Sequence, residues 1–187
     1  QSVMSYGRTS PVWPGEDRSP RGFTEPLPRL LEAVCDAAPG VWIRFTSGHP
    51  SGCTAELARA MGELPGVCPH LHLPVQSGSD HILARMRRGY DAAQYRRAVE
   101  CLRERVPDLA LTTDVIVGFP GETEEDFEAT RRLLVEIGFI NAFVFKYSPR
   151  PGTPAAEWEE TVTPEEKMRR NRVLLEDIDR LALSRFA

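Results

Sequence analysis

Apolar residues recur along this chain at two different spacings, which predict alternating helices and strands. A helical spacing begins at Pro26 and stops at Pro39 and Gly40. The end of the run Leu109–Val117 is almost continuously apolar, so we expect a strand there that is covered on both faces. In all, short runs rich in β-branched and aromatic residues predict strands over Val41–Thr46, Val67–Val75, Leu109–Val117 and Asn141–Tyr147.

Predicted helices fill the segments between these strands. Thr54, Ser79 and Thr163 are candidate N-cap residues, and Thr123 precedes an acidic first turn. Strict alternation of the two element types predicts a parallel sheet with helices outside it, either a barrel or an open α/β sheet. A full eight-stranded barrel needs roughly 200–250 residues. Four strand–helix units fall short of that and both ends of the chain look cut, so we expect a piece of a barrel to be missing.

The chain changes character at two points, which gives three predicted regions. Residues 1–24 are rich in Ser, Gly, Pro and Arg, which predicts an irregular loop or an insert. Residues 25–160 hold the alternating elements. Residues 161–187 hold a long charged helix with a proline at its first position.

The composition and charge add to this picture only by excluding some classes of protein and of site. With 187 residues, 41% of them hydrophobic and 27% charged, the chain has the make-up of an ordinary globular domain. The net charge of −4 provides no global basic field, so contact with a nucleic acid would need a local patch. No apolar run approaches the roughly 20 residues that span a bilayer, which predicts a cytoplasmic protein. The four cysteines lack a metal-binding spacing, which argues against a zinc site.

The predicted strands all end in polar or glycine-bearing loops. Because parallel strands present these ends on one face, we expect the loops to form one site. Gly118 and Gly121 either let a ligand approach the backbone closely or only form a tight turn. The free amide groups of the helix that starts at Thr123 are candidates for binding an anion.

Several polar side chains in the strands are candidates for a site. His70 and His72 face the same side of a strand, but packing or hydrogen bonding explains them better than a metal pair without a third ligand. Asp114 is an isolated charge in an apolar strand and needs a partner. Arg44 and Lys146 are candidates for that partner in a buried ion-pair network.

Two further groups offer hydrogen bonds and positive charge. Gln76, Ser77 and Ser79 suit a ribose or an amino-acid group, although helix capping explains Ser79 as well. The basic run Arg85–Tyr90 would hold a phosphate backbone beside an aromatic ring for stacking, or would form a solvated basic face.

Five stretches, in order along the chain, carry a resemblance to a known family. They are Ile43–Ser47 with His49–Pro50, His70–Ser79, Met86–Tyr90, Thr113–Glu124 and Tyr147–Ala155. These stretches closely resemble the radical S-adenosylmethionine (SAM) methylthiotransferases, and within them the MiaB-like tRNA enzymes. The resemblance runs from about Leu27 to the end of the chain.

This resemblance implies a partial TIM-type barrel of six parallel strands, of which the chain would hold the last four. The family places a four-iron four-sulfur (4Fe-4S) cluster on a C-x-x-x-C-x-x-C loop before the region seen here, and no such spacing occurs in this sequence. An N-terminal domain with a second cluster and a C-terminal RNA-binding domain would also lie outside the chain. We therefore expect this polypeptide alone to be inactive.

For the intact enzyme, the resemblance implies methylthiolation of tRNA. A cluster reduces SAM to a 5′-deoxyadenosyl radical, which abstracts hydrogen from an N6-modified adenosine, and sulfur is then inserted at C2 and methylated. The implied cofactors are SAM and 4Fe-4S clusters. The implied partners are tRNA and donors of sulfur and electrons, and we expect a monomer with no membrane contact.

Residue roles are implied by the matching stretches. Gln76 and Ser77 would line the adenosyl and methionine groups of SAM. Its adenosine would be flanked by Asp114, Ile116 and Gly118. The substrate-side charges would be Arg44, Arg87, Arg88 and Arg150. Two alternatives stay open, namely a methylthiotransferase of the same family that acts on a ribosomal protein, and a noncatalytic half-barrel that binds RNA or a protein.

Overall fold

A computed structural model describes residues 2–7 and 19–185, and the chain divides into two compact units. The first unit comprises Gln1–Leu73 and Arg96–Ala110, and the second comprises Pro74–Tyr95 and Leu111–Ala187. Residues 8–18 of the loop predicted for residues 1–24 lie outside the described residues. None of the described helices is long and apolar enough to cross a membrane.

In the first unit, two helices and a short strand are the main elements. Helix α1 spans Pro26–Ala37, helix α2 spans Ala55–Glu63, and strand β1 spans His70–His72. Helices α1 and α2 pack against each other, and the C-terminal part of helix α4, Ala92–Arg103, belongs to this unit as well.

The strand predicted over Val41–Thr46 is not formed, so that prediction is wrong. The backbone there makes one isolated parallel bridge, from Ile43 to Val67. Val41 is 54% exposed and Trp42 is 72% exposed. The preference of such residues for strands comes from packing against neighbours, which these two side chains do not have.

Strand β1 is shorter than the predicted run Val67–Val75 because prolines flank it. Pro69 and Pro74 stand on either side of His70–His72, and proline has no N–H group to donate to a strand ladder. The apolar pattern was therefore correct for burial but not for strand length.

The second unit holds most of the parallel strand pairing. Its elements are α3 (Asp80–Arg85), the start of α4, β2 (Ala110–Val117), α5 (Glu124–Ile137), β3 (Asn141–Lys146) and α6 (Pro164–Arg185). Strands β2 and β3 are parallel, with Thr112 opposite Asn141 and Val117 opposite Lys146. Gln76 makes a further parallel bridge to Val115. The predicted α/β class with parallel strands is confirmed.

Strand β2 is covered on one face only, contrary to the prediction. Residues 111, 113, 115 and 117 are buried, whereas Thr112, Asp114 and Ile116 on the other face are only half-buried. Opposite Asp114 and Ile116 on β3, Phe143 and Phe145 are 56% and 52% exposed. One side of this strand pair is therefore core, and the other side is open.

Hydroxyl side chains fix where the helices begin. Thr54, Ser79, Thr123 and Thr163 each accept a hydrogen bond from the backbone amide three residues later. The three predicted caps, Thr54, Ser79 and Thr163, are confirmed, and Thr123 caps the helix whose acidic first turn was predicted. The local sequence therefore determines the start of these helices.

Candidate functional site

A cavity of about 760 Å³ lies in the second unit at the C-terminal ends of β2 and β3. Ligand pockets typically measure roughly 300–1,000 Å³, and α/β folds bind ligands at this end of their strands. The lining residues are Gln76, Arg85–Arg88, Asp114, Ile116, Phe119, Phe145–Ser148, Arg150, Thr153–Ala155 and Trp158. The predicted convergence of strand-end loops therefore holds for the loops of this unit.

Gln76 is a conformationally constrained residue of this lining. Its φ of +67° lies in the left-handed region that non-glycine residues rarely adopt. Its N–H donates to the carbonyl of Asp114 at 2.8 Å, and its own carbonyl accepts from the N–H of Ile116 at 2.9 Å. The residue is only 8% exposed. Backbone strain of this kind concentrates at binding sites, which supports Gln76 as a functional residue.

Comparing Gln76→Ala with Gln76→Gly separates backbone strain from side-chain function. Both variants lose the amide group, but only glycine adopts a φ near +67° without a steric cost. We expect the glycine variant to be more stable than the alanine variant by about 1 kcal/mol in urea unfolding. Equal stabilities would mean that the backbone at this position is relaxed.

Asp114, Ile116 and Phe145 share the open face of the strand pair and line the cavity. Ile116 and Phe145 are direct neighbours in the strand register, and Asp114 lies two residues before Ile116. Sequence reasoning missed Phe145. The alternation of Phe143 and Phe145 along β3, in parallel with Asp114 and Ile116 on β2, was the available signal.

Ser77 and Gly118, both predicted to contact SAM, support the fold and do not line the cavity. Ser77 is 1% exposed, and its hydroxyl lies 3.2 Å from the hydroxyl of Thr130 on α5. Gly118 has a φ of +71°, and a Cβ atom there would lie 2.3 Å from Cγ of Lys167. Of the two interpretations of Gly118, the tight turn is the one that the geometry favours.

The cavity lining is strongly cationic. Among the described residues it carries five cationic side chains, namely Arg85, Arg87, Arg88, Lys146 and Arg150, and a single carboxylate, Asp114. Three of the four arginines predicted on the substrate side are therefore brought together. Nε of Arg88 is buried and has no hydrogen-bond partner among the described residues. Buried donors are normally paired, so this donor suits an acceptor on a ligand.

An aromatic cluster holds the segment after β3 beside the cavity. The guanidinium of Arg85 lies 4.5 Å from the ring centre of Trp158, and its Nε donates to the carbonyl of Pro120 at 3.0 Å. Phe119 contacts Trp158 edge-on at 6.0 Å and Tyr147 edge-on at 5.0 Å. Trp158 was not among the predicted residues, because an isolated tryptophan in a loop gives no periodic signal.

Tyr90, predicted as a stacking residue beside the basic run, has a structural role. Its hydroxyl lies 3.2 Å and 3.1 Å from the carbonyls of Pro74 and Val75, and burial raises the pKa of Tyr90 to about 12. The ring therefore anchors the backbone that leads into Gln76 and does not line the cavity.

Arg44, predicted on the substrate side, belongs to the first unit. Its Nε donates to Nδ1 of His70 at 3.1 Å, and burial together with the positive charge of Arg44 lowers the pKa of His70. Arg44 and Lys146 are both exposed, so neither is a buried partner of Asp114 as predicted. The role that the structure shows for His70 is this hydrogen bond with Arg44.

The start of α5 is not arranged to bind an anion. The amide of Asp126 donates to the hydroxyl of Thr123, and the first turn carries three acidic residues. Burial alone would raise the pKa of Asp126, but hydrogen bonds from Ser79, Thr123 and His81 outweigh it and lower that pKa to about 2. The turn therefore stays negatively charged at neutral pH.

Within residues 2–7 and 19–185, no group of three His, Cys, Asp or Glu side chains is placed to hold a metal ion. All four cysteines in that part of the chain are free thiols, and burial raises the pKa of Cys53 to about 12. The described residues therefore offer no ligand set for a 4Fe-4S cluster.

The chain is similar to a known family and to curated relatives. The family model of the Radical SAM superfamily matches residues 15–134. A relative from Thermobifida fusca (strain YX), named tRNA-2-methylthio-N(6)-dimethylallyladenosine synthase, is 50% identical over 182 residues, which are 97% of this chain and 35% of the relative. A relative of the same name from Aquifex aeolicus (strain VF5) is 48% identical over 178 residues, covering 94% and 39%. The chain spans about a third of the length of the curated relatives it matches.

A solved structure shows the same fold. Coproporphyrinogen III oxidase from Escherichia coli, described as a radical SAM enzyme, matches with a TM-score of 0.65 at 17% identity, over 83% of this chain and 36% of that chain. The likeness agrees with the predicted partial barrel, and the relatives confirm the resemblance to methylthiotransferases. The match over residues 15–134 shows that the chain belongs to the radical SAM superfamily.

Proposed function

We propose that this chain is part of an enzyme that adds a methylthio group to C2 of an N6-modified adenosine in tRNA by radical SAM chemistry. The observation that carries the proposal is the meeting of Gln76, Asp114 and Ile116 with a set of cations at one cavity. The names of the relatives from Thermobifida fusca and Aquifex aeolicus support the same reaction.

The cavity suits SAM. Ile116 and Phe145 offer apolar surface to an adenine ring, and the Asp114 carboxylate can accept hydrogen bonds from ribose hydroxyls or an ammonium group. The amide of Gln76 can donate and accept. We assign Gln76, Asp114 and Ile116 to the SAM site, and we assign Ser77 and Gly118 to its support.

In this class of enzyme SAM, together with a 4Fe-4S cluster, supplies the radical and the methyl group. The chain's own residues bind and orient SAM and keep water away from it. The open face of β2 and β3 presents Asp114 and Ile116 to the ligand, and the packed segment after β3 limits access from solvent. No described residue is assigned as a cluster ligand.

The cationic lining fits an RNA substrate. Arg87, Arg88 and Arg150 provide planar donors that match phosphate oxygens, and the unpaired Nε of Arg88 adds a donor without a protein acceptor among the described residues. Exposed Phe145 and half-buried Trp158 add aromatic surface for an unstacked base. A ribosomal-protein substrate or a noncatalytic binding role has no comparable support.

We also propose how the chain is divided into regions and which partners serve the whole enzyme. Residues 25–160 would be the C-terminal part of the barrel, and residues 161–187 a helix that leads to a further domain. Sulfur and electron donors would serve the whole enzyme, which we propose to be a cytoplasmic monomer.

A chimera tests the function. The stretch of 182 residues that matches in the Thermobifida fusca relative would be replaced by this chain, and the chimera would be produced in a host that lacks the activity. We expect methylthio-modified adenosine in digested tRNA, measured by mass spectrometry. A chimera that assembles its clusters and binds tRNA but leaves the adenosine unmodified would contradict the proposal.

Reversing two charges of the cavity should weaken RNA binding. We expect Arg87→Glu with Arg88→Glu to reduce the affinity of the chimera for tRNA by about tenfold or more at low salt, and to reduce the dependence of binding on salt. The matched control is Arg132→Glu with Arg172→Glu, which changes the net charge equally at exposed sites on α5 and α6. Equal affinities of the two double variants, measured by fluorescence anisotropy, would favour a merely solvated basic face.

A further inference from the structure

Helix α6 carries two buried cations on the face that packs against β3 and the turn after β2. Lys167 is 6% exposed and Arg170 is 5% exposed. A helix face that packs on a sheet normally carries apolar side chains, because taking a charge out of water costs free energy. These two charges therefore need an explanation other than core packing.

Arg170 holds the turn that follows β2. Its Nη1 donates to the carboxylate of Glu122 at 2.7 Å and to the carbonyl of Glu122 at 3.2 Å. The same carboxylate oxygen accepts the N–H of Gly118 at 2.7 Å. Glu122 is 5% exposed, so the three groups form one buried chain of hydrogen bonds.

This turn borders the cavity directly. Ile116 and Phe119, on either side of Gly118, line the cavity, whereas Glu122 and Arg170 do not. The Lys167 side chain packs over Gly118, and its Nζ lies 3.4 Å from the carbonyl of Tyr147 at the end of β3. Helix α6 thus contacts the turn after β2 and the residue that follows β3, and Arg170 can influence a ligand only through the turn.

We propose that Arg170 and Glu122 are positioning residues for SAM, in that their buried pair fixes the Gly118 turn so that Ile116 and Phe119 face the adenosyl group. The inference rests on the proposed function, since it takes SAM as the ligand. Stability alone does not explain the pair, because apolar residues of similar volume often replace a buried ion pair at no cost or with a gain.

The test uses the double variant Glu122→Met with Arg170→Met in the chimera. It removes both buried charges, so neither is left without a partner. Glu166 and Glu124, which also contact Arg170 at 2.8 Å and 3.2 Å, remain accessible to water, so we expect only a small change in the thermal midpoint. The N–H of Gly118 loses its acceptor, so its hydrogen exchange should accelerate. The dissociation constant of SAM, measured by anaerobic calorimetry, should rise roughly fivefold to tenfold, as for one lost hydrogen bond. The affinity for tRNA should not change.

A conservative variant should retain binding. Glu122→Gln alone keeps a side-chain oxygen that can accept from both the Gly118 N–H and Arg170, so we expect it to retain most of the SAM affinity. The control Glu165→Met with Arg172→Met removes one acid and one arginine from exposed positions of α6 and should leave SAM binding unchanged.

Two results would contradict this inference and leave the proposed function intact. One is wild-type SAM affinity in the Glu122→Met with Arg170→Met variant, and the other is an equal loss of SAM and tRNA affinity, which indicates general loosening. An unmodified chimera that binds no SAM would instead overturn the proposed function, and this inference with it.

Discussion

Replacing Gly118 with alanine is expected to lower the free energy of unfolding by about 3 kcal/mol. Residue 118 has a φ of +71°, where a Cβ atom costs about 1–2 kcal/mol. That atom would also lie 2.3 Å from Cγ of the buried Lys167, and overpacking of this kind costs about 1–3 kcal/mol. Urea unfolding of both proteins measures the difference.

Gly89 provides the matched control for this substitution. Its φ of +72° is nearly the same, but a Cβ atom there would meet nothing within 4 Å. We expect Gly89→Ala to cost only the backbone term, about 1–2 kcal/mol. If both substitutions were equally costly, the packing of Lys167 against residue 118 would contribute nothing.

Replacing Asp126 with alanine is expected to cost about 2–3 kcal/mol at neutral pH. Its carboxylate accepts from the N–H of Thr123 at 2.9 Å and the hydroxyl of Thr123 at 2.8 Å. It also accepts from the hydroxyl of Ser79, the cap of α3. One carboxylate therefore joins the caps of two helices, and hydrogen bonds to a charged group contribute about 1.5–3 kcal/mol.

The cost of removing Asp126 should depend on pH. The folded-state pKa of about 2 lies below the ordinary value of 3.8, so the stabilisation is fully present above the ordinary pKa and is lost as the pH falls through the folded one. The stability difference between the wild-type protein and Asp126→Ala should therefore shrink between about pH 5 and pH 2. Chemical unfolding at a series of pH values measures it.

Glu125 is the control for Asp126. It is an exposed acid in the same first turn of α5, so Glu125→Ala tests the effect of helix-terminal charge alone. We expect a loss of about 0.3–1 kcal/mol. A loss as large as that of Asp126→Ala would mean that the bonds to Ser79 and Thr123 contribute little.

Local chemistry explains why much of the fold was predictable. Thr54, Ser79, Thr123 and Thr163 cap helices because a hydroxyl and the amide three residues later are neighbours in sequence. Alternation of helix and strand determined the parallel pairing of β2 and β3 in the same way. Val41–Thr46 failed because strand formation there depends on burial that the local sequence does not specify.

For the site, the sequence indicated which residues would take part but not which way their side chains point. Gln76, Asp114, Ile116, Arg87, Arg88 and Arg150 line the cavity as the matching stretches suggested. Ser77 turns away because Thr130, 53 positions later, offers its hydroxyl a buried partner. A local sequence pattern does not indicate partners that lie so far apart along the chain.

The sequence by itself determined the α/β class, the helix starts and the family resemblance, because each depends on residues that are close together along the chain or on matching stretches. Only the tertiary structure decided which polar groups remain available to a ligand. Arg170 lies 48 positions from Glu122, and Lys167 lies 49 positions from Gly118, yet these contacts fix the turn beside the cavity. Packing between distant segments, and not composition, assigns each buried charge its partner.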